Sequence, residues 1–362
     1  MHYLDANATE PLRPEARAAI AAALDVTGNP SSVHAAGRAA RRIMEDAREA
    51  LAARFGGRPA DLVFTSGGTE ADAMAIHALG AGRRIIIGAT EHDAVREAAQ
   101  GAAILPVDRA GIADLAALAA LLAAGPPALV CLMLANNETG TLQPVADAVA
   151  LCRRYGARLH VDAVQAAGRM AVDFAALGAD SLAISSHKLG GPSGAGVLLL
   201  APGVSAIPPL IAGGGQERGR RGGTPPVAAI AGFAAAALAS GNAAALAPLR
   251  DAAEHAAVAC GAVVCGAGAP RLPNTTCLAL PGVRADAQVI ALDLAGIAVS
   301  AGAACSSGKV AASHVLAAMG LGPLAGQAIR ISLPWNATAA DVAAFAGAYQ
   351  GRVRSLLARA AE

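Results

Sequence analysis

Aromatic side chains are scarce: five Phe, three Tyr and one Trp stand in 362 residues, although 55% of the chain is hydrophobic. Alanine and glycine therefore carry much of the apolar content, and the ring platforms on which single-strand nucleic-acid binders stack bases are nearly missing. An excess of one charge is also lacking, since 28 basic residues face 27 acidic ones. That balance offers no sequence-wide counterion release to a polyanion, and no direct nucleic-acid partner is expected. The cysteines at 131, 152, 260, 265, 277 and 305 contain no Cys-x-x-Cys pair and no zinc-type histidine spacing, so neither a disulfide framework nor a resident metal site is expected.

Long uninterrupted apolar runs are absent too. The stretch between Arg221 and Arg250 carries no formal charge, but Pro225, Pro226, Gly241, Asn242 and Pro248 break it. Its longest intact part, Val227 to Ala239, is mostly alanine and reads as a core helix rather than a membrane span. Gly194 to Gln216 is cut by Pro202, Pro208 and Pro209. The opening MHYLDANATEPL places Asp5 where a secretory signal would need a basic region and then an apolar one. A cytoplasmic protein without a membrane partner is the expectation.

What is present is an alternation of short apolar runs with alanine-rich helical patterns. Strands are expected at 61–66, 83–90, 128–134, 157–163, 181–186 and 195–201, with helices at 70–79, 93–100, 114–124, 143–154 and 164–168 between them. This is the pattern of an α/β fold with a largely parallel sheet. Past residue 250 the pattern becomes a helix (248–259), short strands around AVVCG, TTCLAL and AVSAG, a helix near 313–319, the strand AIRISL and a final helix (338–359). That order suits a second, smaller α+β domain. A chain longer than the ~250–300 residues at which single cores stop growing fits a large domain at 12–245 and a small one formed by 1–11 with 246–362.

Ligands of such sheets bind at the carboxyl ends of the strands. Polar residues gather there: Ser66 to Glu70, Glu91 to Asp93, Asn136 to Glu138, Asp162 to Gln165 and Ser185 to Lys188. In TSGGTEADAMAI, Gly67 and Gly68 lead into a helix whose free N–H groups suit a phosphate. No Gly-Lys-Ser/Thr follows, so it is not a Walker loop. Lys188 ends a strand, where a desolvated amine forms a Schiff base or a solvated one does nothing. Asp162 ends the strand before it, and a carboxylate there needs a partner. A lysine, a ring-nitrogen carboxylate and a glycine-helix phosphate site are the three parts of a pyridoxal phosphate (PLP) pocket.

The stretches YLDANAT (3–9), GNPSSVHAAGR (28–38), FTSGGTEAD (64–72), EHDAV (91–95), NNETG (136–140), HVDAVQ (160–165), SSHK (185–188), GGGQERGRRGGT (213–224), SAGAACSSG (300–308) and IRISL (329–333) resemble the cysteine desulfurases. These belong to the class V aminotransferase group of fold type I PLP enzymes, and the resemblance covers nearly the whole chain. It implies that Lys188 carries the cofactor and moves the proton at the substrate's Cα, and that Asp162 pairs with the ring nitrogen. Gln165 and Asn137 would bond the ring's phenolic oxygen. Gly68, Thr69, Ser185 and His187 would hold the phosphate, with Thr224 reaching it from the other subunit of a homodimer. His92 would stack on the ring and shuttle a proton, a flat neighbour in a chain poor in aromatics. Arg330 and Asn29 would bind the substrate carboxylate.

The resemblance makes Cys305 the nucleophile, which takes sulfur from L-cysteine as a persulfide, releases L-alanine and passes the sulfur to an acceptor such as an iron–sulfur scaffold protein. Ala301 and Ala303 stand where Ser or Gly is common in relatives. Asp5, Ala6, Asn7 and Glu10 also depart from the usual pattern, and are expected to lie behind the reacting groups. The chain stops at Glu362, without the longer tail by which some relatives dock the scaffold. Arg218, Arg220 and Arg221 form the one basic run, facing a phosphate, a partner or solvent. A lyase of the same fold acting on selenocysteine or cysteine sulfinate, and a non-catalytic sulfur carrier, are the other readings.

Overall fold

The computed structural model describes residues 1–204, 206–302 and 312–353. In chain order the first part holds β1 (His2–Tyr3), α1 (Pro14–Leu24), α2 (Ala35–Arg54), β2 (Leu62–Thr65), α3 (Gly68–Leu79), β3 (Arg84–Gly88), α4 (Asp93–Ala98) and β4 (Ala103–Leu105). It continues through α5 (Leu115–Ala123), β5 (Ala128–Cys131), α6 (Val145–Arg154), β6 (Arg158–Asp162), α7 (Phe174–Leu177), β7 (Ser181–Ser185), β8 (Gly196–Leu200) and α8 (Val227–Ala239). Seven of these strands form one sheet in the order β2-β8-β7-β6-β5-β3-β4. Its interior strands are short and largely apolar, with His160 and Asp162 of β6 and Ser181 and Ser185 of β7 buried among them, because helices cover both faces. Strands β3 to β7 run parallel, and β8 lies antiparallel to both β7 and β2.

The rest of the described chain comprises α9 (Ala247–Val258), β9 (Val263–Cys265), β10 (Thr275–Ala279), α10 (Ala285–Asp293), β11 (Ile297–Ala298), β12 (Ser300–Ala301), α11 (His314–Ala318), β13 (Ala328–Ser332) and α12 (Ala339–Ala348). An antiparallel sheet, β12-β13-β10-β9, packs under α9, α10 and α12 around Leu278, Ile329, Ile331, Phe345 and Tyr349. Leu4 belongs to this second core, and β1 pairs in parallel with β11.

One expectation needs correction. Residues 164–168 are not a helix: Gly168 sits at φ 82° with no room for a Cβ, which would lie 2.7 Å from the Leu189 Cβ, and the chain turns there. Of the final helix expected at 338–359, Ala339–Ala348 is α-helical and Tyr349–Val353 continues it as a wider helical turn, while 354–359 lie outside the described residues. The alanine-rich α8 is a core helix, packed on α1 and α2 through Ile230, Phe233, Ala236 and Ala237. Among the described residues no single helix is long and apolar enough to cross a membrane.

Candidate functional site

A cavity of about 260 Å³ opens where β2, β3, β5, β6 and β7 end. Gly68, Thr69, His92, Asn137, Asp162, Gln165, Ser185, His187 and Lys188 line it together. Four different strand ends and one helix start supply them, so sequence separations of up to about 120 residues collapse into one wall. Among the described residues no Phe, Tyr or Trp lines the cavity, and the imidazole of His92 is its flat side chain beside that of His187.

At one end lies the start of α3. Its first-turn N–H groups have no acceptor inside the helix, and Gly67 enters at φ 156°, which only glycine adopts comfortably. A Cβ on Gly68 would come 2.6 Å from the Val164 Cγ2, so the backbone itself forms the wall. Thr69, Ser185 and His187 add side-chain donors or acceptors there, and burial holds His187 neutral by pushing its pKa down to about 4. An anion is the natural occupant.

At the other end stands Asp162. Its Oδ1 accepts the Val164 amide at 2.8 Å, and it forms no ion pair among the described residues. Burial, with the nearby Asp72 adding to it, pushes its pKa up to about 7. A carboxylate so placed is costly until a cation meets it. Behind it, Asp72 on α3 and His160 on β6 are in contact, with His160 Nε2 3.1 Å from Asp72 Oδ1 and Nδ1 2.8 Å from Ser181 Oγ.

Between the two ends Lys188 donates to the carbonyls of Asn7 at 2.6 Å and Ala8 at 2.9 Å. Desolvation, then the charges of Arg330 and Arg169, lowers its pKa to about 8, which brings the free amine within about one pH unit of neutrality. His92 caps α4, accepting the Ala94 amide on Nδ1 at 3.1 Å, so its ring proton sits on Nε2. Gln165 donates to the Asn7 carbonyl at 3.1 Å and accepts from Arg169 at 2.9 Å.

The rim is built differently. Arg330, 2% exposed, pairs with Asp5 at 2.6 Å and donates to the Asn137 carbonyl at 3.1 Å, while its Nε has no partner. Asp5 and Asn7 therefore touch the site's two central cations directly instead of lying behind them. Glu10, buried and held above the usual carboxylate range by desolvation, receives Arg169 and the Trp335 amide. Gly302 and Ser313 both meet Glu138: the Ser313 hydroxyl donates to its Oε2 at 2.6 Å, and a Cβ on Gly302 would lie 2.9 Å from the same atom.

Other expected residues lie apart. Asn29 is exposed, its Oδ1 taken by the Ser31 amide, and it is not part of the cavity wall. Thr224 is exposed beside Ser66 and Arg221, outside the cavity of its own chain. Cys305 and Ala303 fall outside the described residues. The basic run holds its own chain together: Arg218 and Arg220 bind the Ala60 carbonyl, and Arg221 grips Glu70 of α3 through two nitrogens, at 2.8 and 3.2 Å.

Asp72, Met133 and Val164 also line the cavity and were not singled out from the sequence. For Asp72 a signal existed: it follows Gly68 by four residues, one turn along the same helix face. A family model for the class V aminotransferases matches residues 2–345. The chain is 39% identical to an IscS-like cysteine desulfurase of Mycobacterium tuberculosis, with 94% of this chain and 93% of the relative covered. It is 43% identical to a cysteine desulfurase of Cereibacter sphaeroides, with 94% and 92% covered. The solved structure of a NifS-like protein from Rickettsia africae superposes with a TM-score of 0.91 at 35% identity, covering 98% of this chain and 99% of that one. With the family model spanning residues 2–345 and relatives about 40% identical over nearly the whole chain, the chain belongs to the class V aminotransferase family.

Proposed function

We infer that the protein is a PLP-dependent cysteine desulfurase, which removes sulfur from L-cysteine and leaves L-alanine. The observation that carries this reading is one cavity with an anion cradle at Gly68–Thr69, an unpaired buried carboxyl at Asp162 and the lowered-pKa amine of Lys188 between them. Those residues fit PLP, because the glycine wall leaves no room for a Cβ where a phosphate would approach and Asp162 has no cation among the described residues, which a protonated ring nitrogen would supply. When bound, PLP supplies an electron sink that acidifies the substrate's Cα–H and loosens its Cβ–S bond.

The chain's own groups do the rest. Asp162 would hold a proton on the ring nitrogen by its charge, and Gln165 and Asn137 would hydrogen-bond the ring's phenolic oxygen. Lys188 is the base at Cα, matched to neutral pH by its burial. Arg330 takes the substrate carboxylate by exchanging Asp5 for it, its unpartnered Nε being one of the available donors. The Cys305 thiolate attacks the substrate sulfur: an S–S bond forms, the Cβ–S bond breaks with its electron pair left on carbon, and that carbon takes a proton to become the methyl of alanine. The resulting persulfide passes to an acceptor protein, for which an iron–sulfur scaffold is our assignment. We assign a homodimer in which Thr224 of the partner subunit reaches the phosphate, a role supported by its exposure and its distance from its own cavity wall.

Purified protein supplied with PLP and L-cysteine should show a cofactor absorbance band and, with a reductant, release alanine and sulfide in equal amounts. Alanine without sulfur on Cys305 in a single turnover, or no band at all, would overturn the reading.

A further inference from the structure

Two carboxylates face the cavity, Asp162 from the end of β6 and Asp72 from the second turn of α3. Asp72 is 1% exposed and Asp162 8%, and neither pairs with Lys or Arg among the described residues. Neighbouring buried carboxylates do not both ionise without a cation, so one keeps a proton and the other carries the charge.

Their hydrogen-bond partners differ in a way that decides which. Asp162 accepts the Val164 amide, and an amide N–H only donates, so that bond favours the ionised form. Asp72 faces His160, and His160 faces the Ser181 hydroxyl. This chain runs in either direction. With Asp72 ionised, the hydroxyl donates to Nδ1 and Nε2–H donates to the carboxylate. With Asp72 protonated, its O–H donates to Nε2 and Nδ1–H donates to the Ser181 oxygen. Asp72 gains or loses a proton without any buried group losing its bond.

We propose, on the reading that Asp162 meets the cofactor's ring nitrogen, that Asp72 is a positioning residue which holds the proton of the pair through the His160–Ser181 chain and so keeps the negative charge on Asp162. Burial orders them the same way, raising Asp72 to about 8 and Asp162 to about 7, and lowers His160 to about 4, the neutral imidazole both directions require. The other titratable groups facing the pair are Glu91 after β3 and Cys131 on β5, both held well above their usual values by burial, with His92 and Lys188 across the cavity.

Infrared and carbon-13 carboxyl spectra of cofactor-free protein at pH 7 test the proton directly. Asp72→Asn should remove the larger part of the protonated-carboxyl signal and Asp162→Asn the smaller; the reverse order, or no loss in either, overturns the proposal. In protein loaded with PLP, Asp72→Asn, whose amide donates to Nε2 as the acid does, should hold the cofactor within about threefold of the unmodified protein at pH 7. Its absorbance titration should lack an alkaline step that the unmodified protein shows near and above pH 8. Binding weakened about tenfold or more, or an unchanged alkaline step, would show that Asp72 carries the charge. Failure of every form to bind PLP would count against the cofactor reading, and the cofactor-free spectra would still decide which carboxyl holds the proton.

Discussion

The floor and the rim of the cavity are charged in opposite manners. On the floor, Asp162 is buried against a backbone amide with no counter-ion among the described residues, and the α3 start presents N–H groups with no acceptor inside the helix. On the rim, Arg330 is neutralised by Asp5, and Arg169 by Glu10. The difference teaches which ligand is permanent. A floor that leaves its charge uncompensated stands under a standing desolvation cost until a charged group settles on it, whereas a rim that pairs with itself can release its substrate each turn by restoring the internal ion pair.

The largest break in this contrast is expected from Lys188→Ala, which removes the amine between floor and rim. Turnover should be undetectable in an alanine assay; retained turnover would dissolve the proposed division of labour. Next comes Arg330→Ala, which leaves the half-buried Asp5 without its partner and the substrate carboxylate without its fork. The fall in kcat/KM should amount to about 2–5 kcal/mol, most of it in KM, while the cofactor band stays. An unchanged KM would place carboxylate binding elsewhere.

Gly68→Ala sharpens the floor alone. Its Cβ would meet a Val164 methyl at 2.6 Å, and overpacking of that kind costs about 1–3 kcal/mol. The expected loss is in PLP affinity, measured by titrating cofactor-free protein, with KM for cysteine little changed once the protein is saturated.

The smallest effect is on stability. The folded Asp72 binds its proton more tightly than the unfolded one, about 8 against 3.8, so the native state binds more protons between those values and stability falls as pH rises through them. Asp72→Asn removes that loss. Thermal unfolding of the cofactor-free variant should match the unmodified protein near pH 4 and exceed it increasingly up to about pH 8, by ~a few degrees at the upper end. Equal melting temperatures across that range would mean that folding does not raise the pKa of Asp72.

Much of the cofactor side was legible in advance because each part is local. A buried strand reads as four or five apolar residues, and its polar follower marks the sheet's carboxyl edge: Asp162 after Val161, Lys188 after Ile184 to His187, Gly68 after Phe64 to Gly67. The antiparallel insertion of β8 between β2 and β7 was not, since an apolar run carries no direction. Neither was the role of residues 5–10. Asn7 meets Lys188 across 181 positions and Asp5 meets Arg330 across 325, and no pattern within either segment announces the other.

The amino-acid order by itself determined the α/β class and the set of polar strand ends, because hydrophobic alternation and turn chemistry act over a few residues. Only the tertiary structure decided how those ends are charged. The proton balance of Asp72 and Asp162, the lowered pKa of Lys188 and the pairing of Arg330 with Asp5 all depend on burial and on neighbours far along the chain, and electrostatic energies follow distance in space and loss of water rather than position in sequence.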